Sequence, residues 1–449
     1  MRVKTKKNIR FLLCFLMTAA IIFALSFGIY VICRQRPWWR VFYWGLTAAL
    51  GFWVAVERSP GEVKTGYFIL LILLPYVGPA AVLYCLVVGA LFGGKRKKVG
   101  LYVDYRLIFG KAEGKITYFS DGKTYFEDLL SCLSRAQSEV YIYTYIFKHD
   151  EATCRLLSTL FDLCDRGVRV SLFADYYGSG AFYKEEMVRV LKQKGARVGC
   201  YKRPRLILVP GDNKRCHGKV ILIDKKTAYL PSMNMCRKEI FLDKNSAVKI
   251  TGSLDSYLKE FAPLFKIKTE KTQSAGTATI PLLCDGSAEG VFLGAIGAAR
   301  EEIRIVTPYL SLSSAVKKQL AAAVKRGVKL TAVIPEIKNG GAVGAVNRLW
   351  AEEILALGGR VYLYDKGFLH QKALLCDDGI AVVGSANLDE RSSRFAVETV
   401  LISGDNRLIG PLLEDFEAIK EKSVPLEGSL AAPGRKLKNR VLRLISPLY

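Results

Sequence analysis

One polar skeleton occurs twice in this chain, and the doubling constrains its fold more than any other feature. In HGKVILIDKKTAYLPSMN (217–234) and HQKALLCDDGIAVVGSAN (370–387), a His is followed by Lys at plus two, Asp at plus seven, Ser at plus fifteen and Asn at plus seventeen. The matched residues are His217, Lys219, Asp224, Ser232 and Asn234 in one copy, and His370, Lys372, Asp377, Ser385 and Asn387 in the other. A spacing of two puts His and Lys on the same side of a strand. The apolar runs 220–223 and 373–376 after each Lys suit strands buried on both faces. The chain has three histidines, and two stand in these matched places. The third, His149 in KHDEAT, reads as an exposed loop residue at a helix start. Two copies of so long a polar pattern imply two similar folding units that meet at one active site.

The hydrophobic periodicity agrees. Beyond residue 100, helical and strand patterns alternate, as in an α/β protein. Strands are expected at 140–147, 168–174 and 198–201, with an amphipathic helix reaching about Arg166 and another over 184–194. The second half replays this order: helix 287–299, strand 303–306, helix 313–326, strand 328–334, helix 346–357 and strand 361–364, then the second motif. Short phrases repeat too, RGVRV at 166–170 with RGVKL at 326–330, and GARV at 195–198 with GGRV at 358–361. TEKTQSAGTAT at 269–279 reads as a linker. The expected catalytic region is therefore α/β, with two halves, 99–268 and 280–449, related by pseudo-twofold symmetry.

Residues 1–98 differ in kind. The run 11–33 contains no charge and is long enough to cross a bilayer as a helix. A second apolar stretch, 41–56, is marginal in length, and a third, 67–94, carries Pro75, Gly78 and Pro79, which predict a kinked or re-entrant path. Trp38, Trp39, Tyr43 and Trp44 suit a membrane interface. Five Lys/Arg precede the first stretch and Lys95, Arg96, Lys97 and Lys98 follow the last, so both flanks ask to be cytoplasmic. The expectation is a multi-pass cell-membrane protein with an N-terminal transmembrane helical region and a cytoplasmic catalytic domain. The net charge is +25, and the first 100 residues hold 14 Lys/Arg against 2 Asp/Glu. Such a balance beside the most apolar part of the chain favours an anionic membrane surface over nucleic acid as the partner. Eleven cysteines form no CxxC pair and no Cys/His cluster, and read as reduced thiols rather than zinc ligands.

Breaking a phosphodiester takes a nucleophile, an acid for the leaving oxygen, and cations or hydrogen-bond donors around the non-bridging oxygens. Two imidazoles, two ammonium groups and two Ser/Asn pairs provide these with no cofactor. The doubled spacing resembles the HxK(x)4D signature of the phospholipase D superfamily. The surrounding wording narrows the resemblance to bacterial cardiolipin synthases: LLPYVGPAAVLY in the last apolar stretch, FSDGKTYFEDLLSCLSRAQSEVYIYTYIF at 119–147, TPYL at 307–310, GSANLDERS at 384–392 and the closing RVLRLISPLY. This resemblance implies that one phosphatidylglycerol forms a phosphatidyl-histidine intermediate, glycerol leaves, and a second phosphatidylglycerol attacks to give cardiolipin. It implies His217 as the nucleophile and His370 as the acid and then the base, with the near-symmetry leaving the reverse assignment open. Lys219 and Lys372, helped by Ser232, Asn234, Ser385 and Asn387, would hold the phosphoryl oxygens. Asp224 and Asp377 belong to the catalytic signature, yet they lie at a different strand parity from their His. They are expected to brace the motif through backbone or cross-half contacts. Asp389 and Arg391 read as a structural ion pair. Phosphatidylglycerol and other anionic phospholipids would be the partners.

The chain departs from the family wording in three places. PSMN, with Pro231, replaces a Gly-rich approach to the first Ser/Asn position. The acidic residue that supports a motif histidine stands 28 positions on; it is Glu398 after His370 but Asn245 after His217. An amide there would fix the tautomer of His217 without adding negative charge, a role for which Asp243 is a substitute. Ala396 stands where the family usually shows Asn. Rival readings are a membrane-anchored phosphodiesterase that hydrolyses nucleic acid, hydrolysis of phospholipid by water, and lipid binding without catalysis. No stacking platform for bases is evident, and intact His and Lys in both motifs argue against the last. The tail GRKLKNRVLRLISPLY carries Leu437, Val441, Leu444 and Leu448 at helical spacing among basic residues, and is expected either on an anionic membrane face or on the catalytic core.

Overall fold

The two halves are built on one strand order. The computed structural model describes residues 114–201, 215–267, 279–337 and 341–427, the helix Trp38–Val56 and a few isolated positions between 27 and 83. In the first half β1 (Lys115–Phe119), β2 (Glu139–Thr144), β3 (Arg169–Ala174), β4 (Arg197–Cys200), β5 (Val220–Ile223), β6 (Thr227–Pro231) and β7 (Ala247–Thr251) form a sheet of order β1-β7-β6-β5-β2-β3-β4. The second half contributes β8 (Thr279–Asp285), β9 (Glu302–Val306), β10 (Lys329–Pro335), β11 (Arg360–Tyr364), β12 (Ala373–Cys376), β13 (Ile380–Gly384), β14 (Val397–Ser403) and β15 (Ser423–Pro425). Its sheet, read from β8, runs β8-β14-β13-β12-β9-β10-β11-β15, which reproduces the first order strand for strand and adds β15. In both sheets the three strands that alternate with helices are parallel (β2, β3, β4 and β9, β10, β11), while the motif strands pair antiparallel. The duplication expected from the motifs is a duplication of topology.

The repeated short phrases are helix stops. RGVRV follows the helix Glu151–Asp165 and RGVKL follows Ser314–Lys325, and Gly167 and Gly327 turn the chain at φ 81° and 90°, a region that costs glycine little. GARV and GGRV do the same with Gly195 and Gly358 at φ 94° and 93°. The starts are also written locally. Asp150 and Thr153 form a capping box at the head of Glu151–Asp165, and Ser313 caps Ser314–Lys325 through Val316 N at 3.2 Å.

Alternation along the motif strands sorts their side chains into layers. Val220 and Leu222 join Val248, Ile250, Ala373, Leu375, Val383 and Leu401 in one buried cluster shared by both halves. Ile221 and Ile223 belong instead to the cluster under Gly122–Ser134 and Glu151–Asp165, and Leu374 and Cys376 to that under Ala288–Ala298 and Ser314–Lys325. The two sheets are covered on their outer faces by these helices, and the layer they share also takes in the helices Asp255–Phe261 and Asn406–Glu421. Each fully buried aliphatic side chain contributes about 1.5–3 kcal/mol, so parting the halves would expose a costly apolar layer. Polar ties add to it: Asp415 accepts from Tyr118 Oη and from Lys244 Nζ, both at 2.7 Å.

The N-terminal region is a unit of its own. Its described helix, Trp38–Val56, covers the expected 41–56 stretch, carries Arg40 near its start and exposes Trp38, Trp39, Trp44, Phe52 and Trp53. Among the described residues, no helix is long and apolar enough to cross a membrane. The stretches 11–33 and 67–94 lie almost wholly outside the described residues, as do the tail 435–449 and the linker, whose last residue, Thr279, opens β8.

Candidate active site

Each motif histidine lies on the short extended segment that enters β5 or β12, and each segment is stitched to the opposite half. Gly218 N donates to Val397 O, and Val397 N to Arg215 O, both at 2.9 Å. In the counterpart, His370 N donates to Lys244 O at 2.8 Å and Lys244 N to Phe368 O at 2.9 Å. Val397 stands to Lys244 as His370 stands to His217, so the two crossings are equivalent. They bring both motifs to one junction, as the sequence implied.

The crossings also decide which side chain supports which imidazole, and here the structure corrects the sequence-based pairing. Glu398 does not serve His370, nor Asn245 His217. Because Val397 pairs with the strand entering β5, the next residue faces across the junction, and His217 Nδ1 lies 3.2 Å from both carboxylate oxygens of Glu398. His370 Nδ1 meets Asn245 Oδ1 at 3.1 Å. Asn245 Nδ2 is already committed to Glu239 O at 2.8 Å, so its oxygen is the atom presented to the ring. Both rings therefore carry hydrogen on Nδ1 and keep a lone pair on Nε2. Asp243, weighed as a substitute acid for His217, instead pairs with Lys238 at 2.8 Å.

The serines expected on phosphate stand behind these supports. Ser385 Oγ donates to Glu398 and accepts from Thr399 N; Ser232 Oγ donates to Asn245 Oδ1 at 2.9 Å and accepts from Ser246 N at 3.0 Å. Asn234 is likewise turned inward, its Oδ1 accepting from Ile146 N and its Nδ2 donating to Glu239. Asn387 Nδ2 donates to Asp389 at 3.0 Å, and its buried Oδ1 has no hydrogen-bond partner. Both lysines are buried: Lys219 Nζ donates to His217 O at 2.7 Å and Lys372 Nζ to His370 O, and each protonated amine has two further N–H donors to offer.

Asp224 and Asp377 are braces within their own halves, and they stand apart from the motif histidines and lysines, at the far end of β5 and β12. At φ 53° and 54°, each opens the turn after its strand. Asp224 accepts from the N–H of Gln137, Ser138 and Glu139 at 2.7–3.0 Å, and Asp377 from Glu301 and Glu302 at 2.8 Å and from Arg300. Burial pushes the Asp224 carboxyl up, but these bonds outweigh it and hold the group below its ordinary value. Asp389 caps Glu390–Arg394 through Ser392 N at 2.6 Å; burial pushes its carboxyl up to about 6, against the nearby charge of Arg391. His149 is exposed and sits 3.5 Å from Glu185, as its sequence context suggested.

Several residues of the site escaped the motif spacing. Thr399 Oγ1 accepts from Lys219 N and donates to Lys219 O, both at 2.9 Å. Tyr145 sets its ring edge against His217 at 5.0 Å, while Phe368 stacks on His370 at 5.8 Å. Glu239 Oε2 lies 3.4 Å from His370 Nδ1. Pro231 ends β6 where β13 ends in Gly384, whose φ of 138° no proline can adopt, so the backbone entering the first Ser/Asn pair does differ.

Burial sets the protonation states. It depresses His217, with the Lys219 charge acting the same way and Glu398 opposing both. It depresses His370 well below the ordinary imidazole value, reinforced by Lys372 and Lys219. Lys219 is lowered by burial to about 8, and burial together with Lys219 holds Lys372 well below its ordinary value. Burial would raise the Glu398 carboxyl, but His217, Lys219 and the Ser385 hydroxyl hold it down. Two imidazoles and two lysines whose charged forms burial disfavours are thus assembled where an anion would stabilise the charged lysines. Among the described residues, no group of His, Cys, Asp or Glu is arranged to hold a metal ion.

A doubled strand order with a His–Lys pair entering the same strand of each half defines a two-motif protein of the phospholipase D superfamily. The family described as cardiolipin synthase, PLD-like domain, matches residues 129–266 and 292–420, and the chain belongs to it. The cardiolipin synthase of Oceanobacillus iheyensis is 27% identical over 359 residues, covering 74% of this chain and 75% of that one. The minor cardiolipin synthase of Bacillus subtilis is 27% identical over 379 residues, 79% of this chain and 92% of that one. Among solved structures, the phosphatidylserine synthase of Haemophilus influenzae has a TM-score of 0.63 at 13% identity over 77% of this chain and 98% of that one, a likeness of fold.

Proposed function

We propose that the protein is a phosphatidyltransferase that makes cardiolipin and glycerol from two molecules of phosphatidylglycerol. The observation that carries the mechanism is the unequal support of two imidazoles at one junction. His217 Nδ1–H is backed by a buried carboxylate, Glu398, whereas His370 Nδ1–H meets the amide of Asn245. Carboxylate backing stabilises the positive charge that grows on a ring as its Nε2 bonds to phosphorus, and this favours His217 as the nucleophile. An imidazolium backed by an amide is the stronger acid, which suits His370 for the leaving oxygen.

The phosphodiester would sit between Lys219 and Lys372, and its charge would raise the pKa of His370 so that the ring can take up a proton. His217 Nε2 attacks phosphorus, the P–O bond to glycerol breaks, and His370 gives its proton to the departing alkoxide. The hydroxyl of the second phosphatidylglycerol then attacks, His370 takes that proton, and the P–N bond to His217 breaks. Ser232 and Ser385 act at one remove, by orienting Asn245 and Glu398. The uncharged run 11–33 with five Lys/Arg before it, and Lys95, Arg96, Lys97 and Lys98 after 67–94, support a membrane-embedded N-terminal region 1–98 with the two halves, 99–268 and 280–449, on the cytoplasmic side.

The test is product analysis with the full-length chain in vesicles of headgroup-labelled phosphatidylglycerol. Equal amounts of cardiolipin and free labelled glycerol are expected. Phosphatidic acid with glycerol would mean hydrolysis by water, and no product would refute the reading.

A further inference from the structure

The two supports are unequal in charge, and a second acidic side chain stands beside the weaker one. Glu239 lies on the short helix Arg237–Phe241, and its Oε2 is 3.4 Å from His370 Nδ1, on the same ring nitrogen that Asn245 Oδ1 holds at 3.1 Å. The carboxylate is fixed in place. It accepts from Asn234 N at 2.7 Å and from Asn234 Nδ2 at 2.8 and 3.0 Å, and its own main-chain oxygen receives Asn245 Nδ2. The position equivalent to Glu239 in the second half is Ser392, which has no charge to offer. The half that lost its supporting acid at 245 therefore carries an extra one six residues earlier, against the same imidazole.

We propose that Glu239 is the counter-ion of protonated His370, a positioning residue that replaces the charge missing from Asn245 and keeps His370 able to act as acid and base. This rests on the reading of the site as a phosphatidyl-transfer centre. Burial and the charges of Lys372, Lys219, His217 and Lys238 all oppose protonation of His370. The Lys238 charge is largely spent on Asp243, with which it pairs at 2.8 Å. Cys236 and Tyr309 face Glu239 as well, but both stay neutral at working pH, since burial pushes their pKa up to about 11 and about 12. Among the described residues, Glu239 is the acidic side chain that pairs with His370 Nδ1, at 3.4 Å. When the ring takes a proton, the carboxylate balances its charge at 3.4 Å beside the closer Asn245 Oδ1, a looser support than the two 3.2 Å contacts of fully buried Glu398 with His217, so His370 stays the stronger acid of the two.

The test compares wild type, Glu239→Gln, and Glu239→Gln with Asn245→Asp, as full-length chain in vesicles. Two donors are used: phosphatidylglycerol, and a phosphatidyl ester of p-nitrophenol, whose leaving oxygen departs without a proton. Glu239→Gln should cut turnover of phosphatidylglycerol about 10-fold or more and move the high-pH limb of its profile to lower pH, with loss on the nitrophenyl ester under about 3-fold. Asn245→Asp should restore phosphatidylglycerol turnover in the Glu239→Gln background. Equal loss on both donors, or no rescue, would overturn the proposal, because a purely structural role moves both substrates alike. The chain holds three histidines, so isotope-labelled histidine lets NMR follow the His370 titration directly. A fall in its pKa on Glu239→Gln is expected, and an unchanged value overturns the proposal even if phosphatidylglycerol proves not to be the substrate.

Discussion

Replacing Glu398 by Gln probes the least symmetric contact of the site. The carboxylate is fully buried and meets His217 Nδ1 with both oxygens at 3.2 Å. Gln keeps the volume and one oxygen, which at the Oε2 position can accept from both Nδ1–H and Ser385, so the change removes the charge and one of the two acceptors facing the ring. A hydrogen bond to an ionised group contributes about 1.5–3 kcal/mol, and that stabilisation grows as charge develops on His217. If it is realised in the transition state, kcat/KM should fall about 10- to 150-fold. The pH profile supplies the sign. Glu398 raises the pKa of His217 against burial and Lys219, so its loss lowers that pKa further. The nucleophile must be neutral, so the low-pH limb should move to more acidic pH, even as the plateau drops. The assay is cardiolipin formation from phosphatidylglycerol vesicles between pH 4 and 9, with melting temperature as the control for folding. A lower plateau with an unmoved limb, or a limb displaced towards higher pH, would refute the assignment of His217 as the carboxylate-backed nucleophile.

Other expectations follow from the same geometry. Lys219, lowered by burial to about 8, is protonated below that pH and loses its charge above it, so phosphate or tungstate should raise the melting temperature more at pH 7 than at pH 9; an equal or larger gain at pH 9 would contradict the phosphate-binding role. Asp224→Asn weakens three bonds to backbone N–H and should cost about 1–3 kcal/mol in denaturant titration, with turnover of the folded protein kept within about 2-fold. A loss of turnover without loss of stability would return Asp224 to the catalytic set. Gly384→Ala places a Cβ 2.3 Å from Thr399 O at a φ of 138°, and should lower stability by about 2 kcal/mol or more in the same titration.

The strand and helix pattern was legible because it is local. The runs 220–223 and 373–376 are β5 and β12 residue for residue, and the expected helices 287–299 and 313–326 appear as Ala288–Ala298 and Ser314–Lys325. The parity of Asp224 and Asp377 also separated them correctly from their histidines, and their braces run within each half rather than across. What spacing could not convey is the exchange of supports between halves. It arises from main-chain pairing between segments distant in sequence, Cys216 with Val397 and, in the matching crossing, Lys244 with Leu369. A residue 28 positions beyond its own histidine is close in sequence, yet the sheet order carries it to the other one. The serines misled for a related reason: at plus fifteen they recur as faithfully as the lysines, but they recur because they hold the supports. Glu239 has no counterpart in the second half, so no repeat could have flagged it; the absent acid at 245 was the only signal in the sequence.

The central claim, that the two halves form one active site with His217 as the nucleophile, is tested most directly by trapping the intermediate. Wild type, His217→Ala and His370→Ala would each be mixed with phosphatidylglycerol, quenched in base to preserve a phosphorus–nitrogen bond, digested and read by mass spectrometry. The account predicts a phosphatidyl adduct on the His217 peptide of the wild type. His370→Ala should still show the adduct when a nitrophenyl ester replaces the natural donor, and His217→Ala should show none with either. An adduct on His370, or one that survives His217→Ala, would contradict it.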